Sequence, residues 1–301
     1  RFESSTAAFE ETCIRIFVRL RKFILDFQND TNQREIDRFF QRRKRITDHI
    51  DTYISQNTSY TIEELEDDLP EYVWDVEENL NIEDFNIDVM LQDTLGDLEV
   101  LSDFIDDLMN IKPENDDKIK TLKNILSSDT RVKDKKVIIF TEYRSTAKYI
   151  YRELSSFGFK NIFELDGQSK VNRKEIIERF APYYNDHTSK TITDEIQILI
   201  ATDVLAEGLN LQDASCLINY ELHWNPVRLM QRIGRVDRRR NHLIEESLLS
   251  DHPELIDDRQ NVYYWNFLLC IALFLKKHYV FQKHLVLKAS NYLPQMMTTM
   301  L

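Results

Sequence analysis

Residues 198–214 read ILIATDVLAEGLNLQDA and residues 224–240 read WNPVRLMQRIGRVDRRR, and these two stretches decide the fold of the chain. The first opens on an apolar run that reads as a buried strand, passes through Thr202-Asp203 and continues into an exposed loop holding Gly208. The second places Gln231, Gly234, Arg235 and Arg238 at a fixed spacing, expected at the start of a helix. A polar turn at a strand end offers hydroxyl and backbone donors, and arginines three residues apart add forked positive charge, a combination suited to a polyphosphate. The short separation of the two stretches fits the connections of a parallel α/β sheet.

Working outward, strands and helices alternate. Strands are expected at 137–140, 162–165, 196–201, 216–220 and 262–267, and helices at 117–126, 145–157, 173–180 and 226–232. Continuous apolar strands alternating with helices are the pattern of a parallel sheet covered on both faces. Residues 4–56 lack Gly and Pro, and Phe9, Cys13, Ile16, Phe17, Leu20, Phe23, Ile24 and Phe27 recur at helical steps, with Ser4, Ser5 and Thr6 as candidate caps. A second helix is expected over 35–54 and a third over 88–110, with 55–86 a loop or partly disordered. The fold class is therefore α/β with an added α-helical N-terminal region. Three parts are expected: a helical region with an acidic segment (1–115), the α/β lobe (116–270) and a helical tail (271–301).

The 301 residues are 42% hydrophobic, enough for a sizeable core, and carry a net charge of −13. That charge argues against nucleic-acid binding by the whole surface, but its distribution is uneven. No Lys or Arg occurs from Ile46 to Ile111, whereas basic residues gather at 34–45, with Arg42-Arg43-Lys44-Arg45, and at 228–240. Those basic regions are candidates for a duplex-binding face, with the acidic stretch pointing elsewhere. The three cysteines, Cys13, Cys216 and Cys270, are far apart and without paired spacing, which fits a reducing cytoplasm without disulfides or a zinc site. The apolar run 262–275 is too short to span a bilayer, so no membrane segment is expected. The chain opens Arg1-Phe2-Glu3, without methionine, and reads as part of a longer protein.

The two deciding stretches resemble motifs V and VI of the second RecA-like lobe of superfamily 2 helicases and translocases, nearest to the Swi/Snf-type branch and its bacterial RapA-like relatives. Trp224-Asn225-Pro226 matches the tripeptide that precedes motif VI in that branch. Upstream, residues 137–143 (VIIFTEY) resemble motif IV, and Leu165-Asp166-Gly167 with Arg173 resembles the motif that follows it. The resemblance spans about half the chain. It implies arginine fingers at Arg235 and Arg238, with Gln231, Gly208, Asn210 and Gly234 near the nucleotide. It also implies contacts to a nucleic-acid backbone from Thr202, Thr141, Arg144, Gly167 and Gln168, and no metal ligand within this lobe. After Arg238 the family's usual Ile-Gly-Gln is replaced by Arg239-Arg240-Asn241.

No Gly-x4-Gly-Lys-Ser/Thr loop and no Asp-Glu box at a strand end occurs in the 301 residues. ATP and Mg²⁺ are therefore expected to bind only where a first RecA-like lobe of the same polypeptide meets this one, with no tight cofactor binding or turnover by this chain alone. Duplex DNA is the expected partner, and the acidic helical region reads either as a protein-docking surface or as a DNA-mimicking brake. Blander readings stay open: Arg238-Arg239-Arg240 as a solvated basic patch, Thr202-Asp203 and the motif IV turn as ordinary helix caps, and Trp224 as a packing residue. So do an inactive RecA-like interaction module and an RNA helicase lobe.

Overall fold

The computed structural model describes residues 4–56, 86–111, 114, 116–165, 172–202, 210–223 and 225–267. Five strands, β1 (Val137–Thr141), β2 (Ile162–Leu165), β3 (Ile198–Thr202), β4 (Cys216–Asn219) and β5 (Tyr263–Asn266), form one sheet in the order β2-β3-β1-β4-β5. Every pairing is parallel. The three inner strands, VIIFT, ILIAT and CLIN, are buried at every position, whereas the edge strand β5 (YYWN) alternates half-buried and exposed residues. Burial on both faces is what a continuous apolar strand needs, and the alternation in β5 is that of a half-covered edge.

Side chains alternate across the sheet and feed two cores. On one face Val137, Ile139, Ile200 and Ile218 pack with Ile119, Leu122 and Leu126 of α5 (Asp117–Ser128) and with Ala147, Ile150 and Leu154 of α6 (Arg144–Ser156). On the other, Ile138, Phe140, Leu199 and Leu217 meet Ile176, Ile177 and Phe180 of α7 (Arg173–Phe180) and Val236 of α8 (Pro226–Val236). The Asp116 carboxylate caps α5 by accepting from the amides of Lys118 and Ile119. Gly158, at φ 89°, supplies the left-handed turn that ends α6. Helix α9 (His242–Asp251) follows.

The N-terminal region is a separate helical layer: α1 (Thr6–Phe27), α2 (Gln33–Arg42), α3 (Lys44–Gln56) and α4 (Ile87–Met109). Its core joins Cys13, Phe17 and Ile24 of α1 to Leu91, Leu98, Leu101, Ile105 and Leu108 of α4, with Ile36, Phe39, Ile46 and Ile50 closing it. Ser5 caps α1 by accepting from the Ala8 amide. The helix expected over 35–54 is two helices, broken at Arg43, whose φ and ψ of −99° and 22° leave the α region.

The basic cluster beside this break does not stand clear of the acidic stretch, as the sequence had suggested. Arg42 pairs with Glu99 at 2.7 Å, Arg43 with Glu99 at 3.2 Å and Asp103 at 2.7 Å, and Arg45 with Asp106 at 3.4 Å. Those acids lie at 99, 103 and 106, one stripe of α4, so the two runs of charge answer one another. Within the described residues, no helix is long and apolar enough to cross a membrane. The expected tail, 271–301, lies outside the described residues, as do residues 57–85 of the acidic segment.

Apolar packing by α4, rather than its charge, should hold the helical layer together. Leu98→Ala empties a fully buried site and should cost about 2–5 kcal/mol. Arg42→Ala removes a mostly exposed partner and should shift the midpoint little, and only at low salt. Urea titration of both variants checks the contrast.

Candidate nucleotide and nucleic-acid edge

Parallel pairing brings the carboxyl ends of all five strands to one edge of the sheet. Thr141 and Thr202 are register partners there, so the ends of the motif IV and motif V strands lie side by side. Adjacent β1 and β4 lead into helices on opposite faces, α6 and α8, which opens a crevice between their ends.

Asn225 starts α8: its side chain accepts from the Val227 amide, and Pro226 stands at the first turn, where a missing N–H is harmless. The helix runs to Val236, beyond the expected end at Arg232. Gln231, Gly234 and Arg235 therefore lie in its last two turns and Arg238 just beyond it, not at a helix start. Gln231 and Arg238 are exposed, and Arg235 and Gly234 half-buried. Arg238 Nε folds back to donate to the Gly234 carbonyl at 2.7 Å. Among the described residues, a Cβ at Gly234 would meet nothing within 4 Å.

The end of motif V is bonded to this helix end. The Leu211 amide donates to the Arg235 carbonyl at 3.3 Å, and Gln212 Nε2 donates to the Arg238 carbonyl at 3.3 Å. Asn210 is half-buried, its Oδ1 accepting from the Gln212 amide at 3.3 Å and its Nδ2 donating to the Tyr184 carbonyl at 3.5 Å. The structure thus brings Asn210, Arg235 and Arg238 together. Gly208, Gly167, Gln168 and Trp224 lie outside the described residues. Thr202 is nearly buried at the end of β3, and Arg144 is half-buried as the first residue of α6.

Thr141 is fully buried, and its hydroxyl donates to Glu221 Oε1 at 2.6 Å. That hydroxyl is engaged inward, which leaves Thr141 orienting a carboxylate rather than offering itself to a phosphate. Tyr143, at the cap position of α6, makes no side-chain cap bond.

Two further residues went unread in the sequence. Arg232 is buried in α8, where NH1 donates to Asn219 Oδ1 at 3.0 Å and to the Glu221 carbonyl at 3.3 Å, with its guanidinium 5.4 Å from the Phe140 ring centre. Glu221, buried just past β4, also accepts from the Glu142 amide at 3.1 Å. Burial pushes the Glu221 carboxyl above its ordinary value, against the pull of Lys118 and the hydroxyls of Ser4 and Thr141. Neither residue has a local signature, because their partners come from distant parts of the chain.

The opposite, amino-terminal edge holds a cavity of about 220 Å³ lined by Lys135, Lys136, Gln197, Asp213, Ser215 and Arg259, among others. Its charges are matched internally, Lys136 with Glu195 at 2.5 Å and Lys135 with Asp258 at 2.6 Å. Asp213 there accepts from the amides of Tyr183 and Tyr184, and Arg259 Nε donates to Glu245 at 2.9 Å. This edge is built as structure.

The arginines of α8 should therefore separate in an unfolding experiment. Arg232→Ala orphans two buried acceptors and should cost about 2–4 kcal/mol. Arg238→Ala, at the surface, should leave the midpoint of denaturation where it was.

Residues 117–240 match the model of the helicase conserved C-terminal domain. An uncharacterized ATP-dependent helicase of Bacillus subtilis is 42% identical over 105 residues, covering 35% of this chain and 17% of that protein. An ATP-dependent DNA helicase of Schizosaccharomyces pombe is 32% identical over 116 residues, covering 38% of this chain and 14% of that one. A pre-mRNA-splicing ATP-dependent RNA helicase of Saccharomyces cerevisiae is 26% identical over 147 residues, covering 48% and 22%. The chain thus spans less than a quarter of the length of each of these relatives. Its α/β segment is similar to the C-terminal domain of ATP-dependent helicases.

Proposed function

We propose that this chain is the second lobe, with an N-terminal helical region, of an ATP-dependent DNA helicase or translocase of the Swi/Snf-type, RapA-like branch. In the whole enzyme Arg235 and Arg238 reach across to the γ-phosphate of an ATP held, with Mg²⁺, by a first RecA-like lobe. Gln231, Gly234, Asn210 and Gly208 border the same nucleotide. Thr202, Arg144, Gly167 and Gln168 follow one strand of the duplex backbone, while Thr141 acts through Glu221. Residues 1–115 form the helical region, whose acidic segment docks a protein, residues 116–270 the lobe, and 271–301 a tail.

The observation that carries this reading is the bonding of motif V to the helix of motif VI. Leu211 and Gln212, in the segment that leads from motif V into β4, hold the carbonyls of Arg235 and Arg238. An inactive interaction module has no physical need for an exposed Arg238 and a half-buried Arg235 fixed in this way. An approaching phosphate or a facing lobe supplies that need. Trp224-Asn225-Pro226 favours the DNA branch over an RNA helicase lobe.

In the full-length protein, Arg235→Ala and Arg238→Ala should each lower ATP turnover by about 10³-fold or more, because their charge acts in the transition state. Nucleic-acid affinity should stay unchanged, and duplex DNA should stimulate the wild type more than RNA does. The chain on its own should show no turnover. Normal turnover by Arg238→Ala removes the arginine assignment, and stronger stimulation by RNA moves the lobe to the RNA branch.

A further inference from the structure

The buried carboxylate in the crevice between β1 and β4 joins three parts of the molecule that the sequence keeps far apart. Its Oε1 accepts from the Thr141 hydroxyl at 2.6 Å and from the Ser4 hydroxyl, and its Oε2 accepts from the Glu142 amide at 3.1 Å. Thr141 and Glu142 form the turn from β1 into α6, the motif IV turn. Ser4 belongs to the helical layer and lies one residue before the Ser5 cap of α1. Further bonds hold this chain start in place: Ser4 Oγ and Ser5 Oγ lie 2.5 and 2.8 Å from Thr146 Oγ1 of α6, and Lys118 Nζ of α5 donates to the Ser4 carbonyl at 2.7 Å. On the main-chain side, the Glu221 carbonyl accepts from Arg232, the buried anchor of the helix that carries Arg235 and Arg238.

Sheet stability does not require an acid here. Putting a carboxylate out of water is costly, and a buried charge held by hydrogen bonds gives little net stability beside an apolar residue of similar volume. What the arrangement supplies is geometry, since the donors come from the motif IV turn and from the helical layer and all must be in place together.

We infer that Glu221 is a positioning residue through which the N-terminal helical layer sets the motif IV turn and its alignment with the arginine helix. A displacement of α1 that withdraws Ser4 removes one of three donors to the carboxylate and frees it to re-orient on Thr141 and Glu142. The state of the helical layer is thereby read at the strand ends where nucleic acid is followed. This inference rests on the proposed motor function.

The test uses the full-length enzyme and compares basal with duplex-stimulated ATP turnover, beside thermal stability. Ser4→Ala should leave basal turnover unchanged at a modest cost in melting temperature, while lowering the ratio of stimulated to basal turnover about 3- to 10-fold and raising the DNA concentration for half-stimulation, a modest coupling between sites. Glu221→Gln, which turns an acceptor at Glu142 into a donor, should lower the ratio at least as much. The double variant should be no worse than Glu221→Gln alone, because both act through one carboxylate. Should Glu221→Gln fail to fold, the ratio for Ser4→Ala decides. An unmoved ratio in Ser4→Ala, or effects of the two variants that multiply independently, overturns the inference while leaving the motor intact. Wild-type enzyme without nucleic-acid-stimulated turnover overturns the motor function and this inference with it.

Discussion

Parallel pairing of five strands is the constraint on which the rest depends. With every strand running the same way, all carboxyl ends lie along one edge and all amino ends along the other. Loops encoded near residues 141, 202 and 219 are thereby delivered to one place without any contact between them in the sequence. Because β1 and β4 are neighbours whose helices leave to opposite faces, their ends part into a crevice. The polar residues that went unread, Glu221 and Arg232, fill this crevice and fix the ends of the strands to α8 and α6. Arg235 lies half-buried in the last turn of α8 and Arg238 exposed just beyond it.

Much of this was legible in the sequence for a simple reason: the inner strands are apolar at nearly every position, and only a sheet covered on both faces accommodates that pattern. The motif V and VI stretches were legible as a pair, since polar residues after a buried strand and spaced arginines carry a chemical meaning of their own. Helix α8 was expected to end at Arg232 but runs to Val236, since a glycine within a helix costs only about 1 kcal/mol and the Asn225-Pro226 cap sets its start. Helix α9 was not expected at all: only Leu248 of its ten residues is buried, so it lacks the apolar stripe that announces a helix. Glu221 was illegible because its meaning comes from residues 4, 141 and 142, which the fold alone brings together.

Charge tells a similar story in the helical layer. A run of arginines and a run of acids, read separately, suggest a phosphate-binding face and a repelling one. In three dimensions Arg42, Arg43 and Arg45 lie against Glu99, Asp103 and Asp106, and the two runs cancel between the α2–α3 junction and α4. The same acids sit on a helix whose other face, Leu91 to Leu108, is the core of the layer. Removing the acidic stretch as a block would therefore unpack the helical region as well as change its charge. In the other basic cluster Arg238 and Arg239 are exposed, whereas Arg232 is buried.

In the proposed enzyme, nucleic acid is followed at the strand ends near residues 141 and 202, and the nucleotide meets the far end of α8. Hydrogen–deuterium exchange of the full-length protein, with a non-hydrolysable ATP analogue and then with duplex DNA, tests this most directly. The analogue should slow exchange across residues 231–240, and DNA should slow it across 141–146, while the amides at 195–197 and 213–215 stay unchanged. Unchanged exchange at 231–240 with nucleotide bound, or protection confined to the amino-terminal edge, would contradict it.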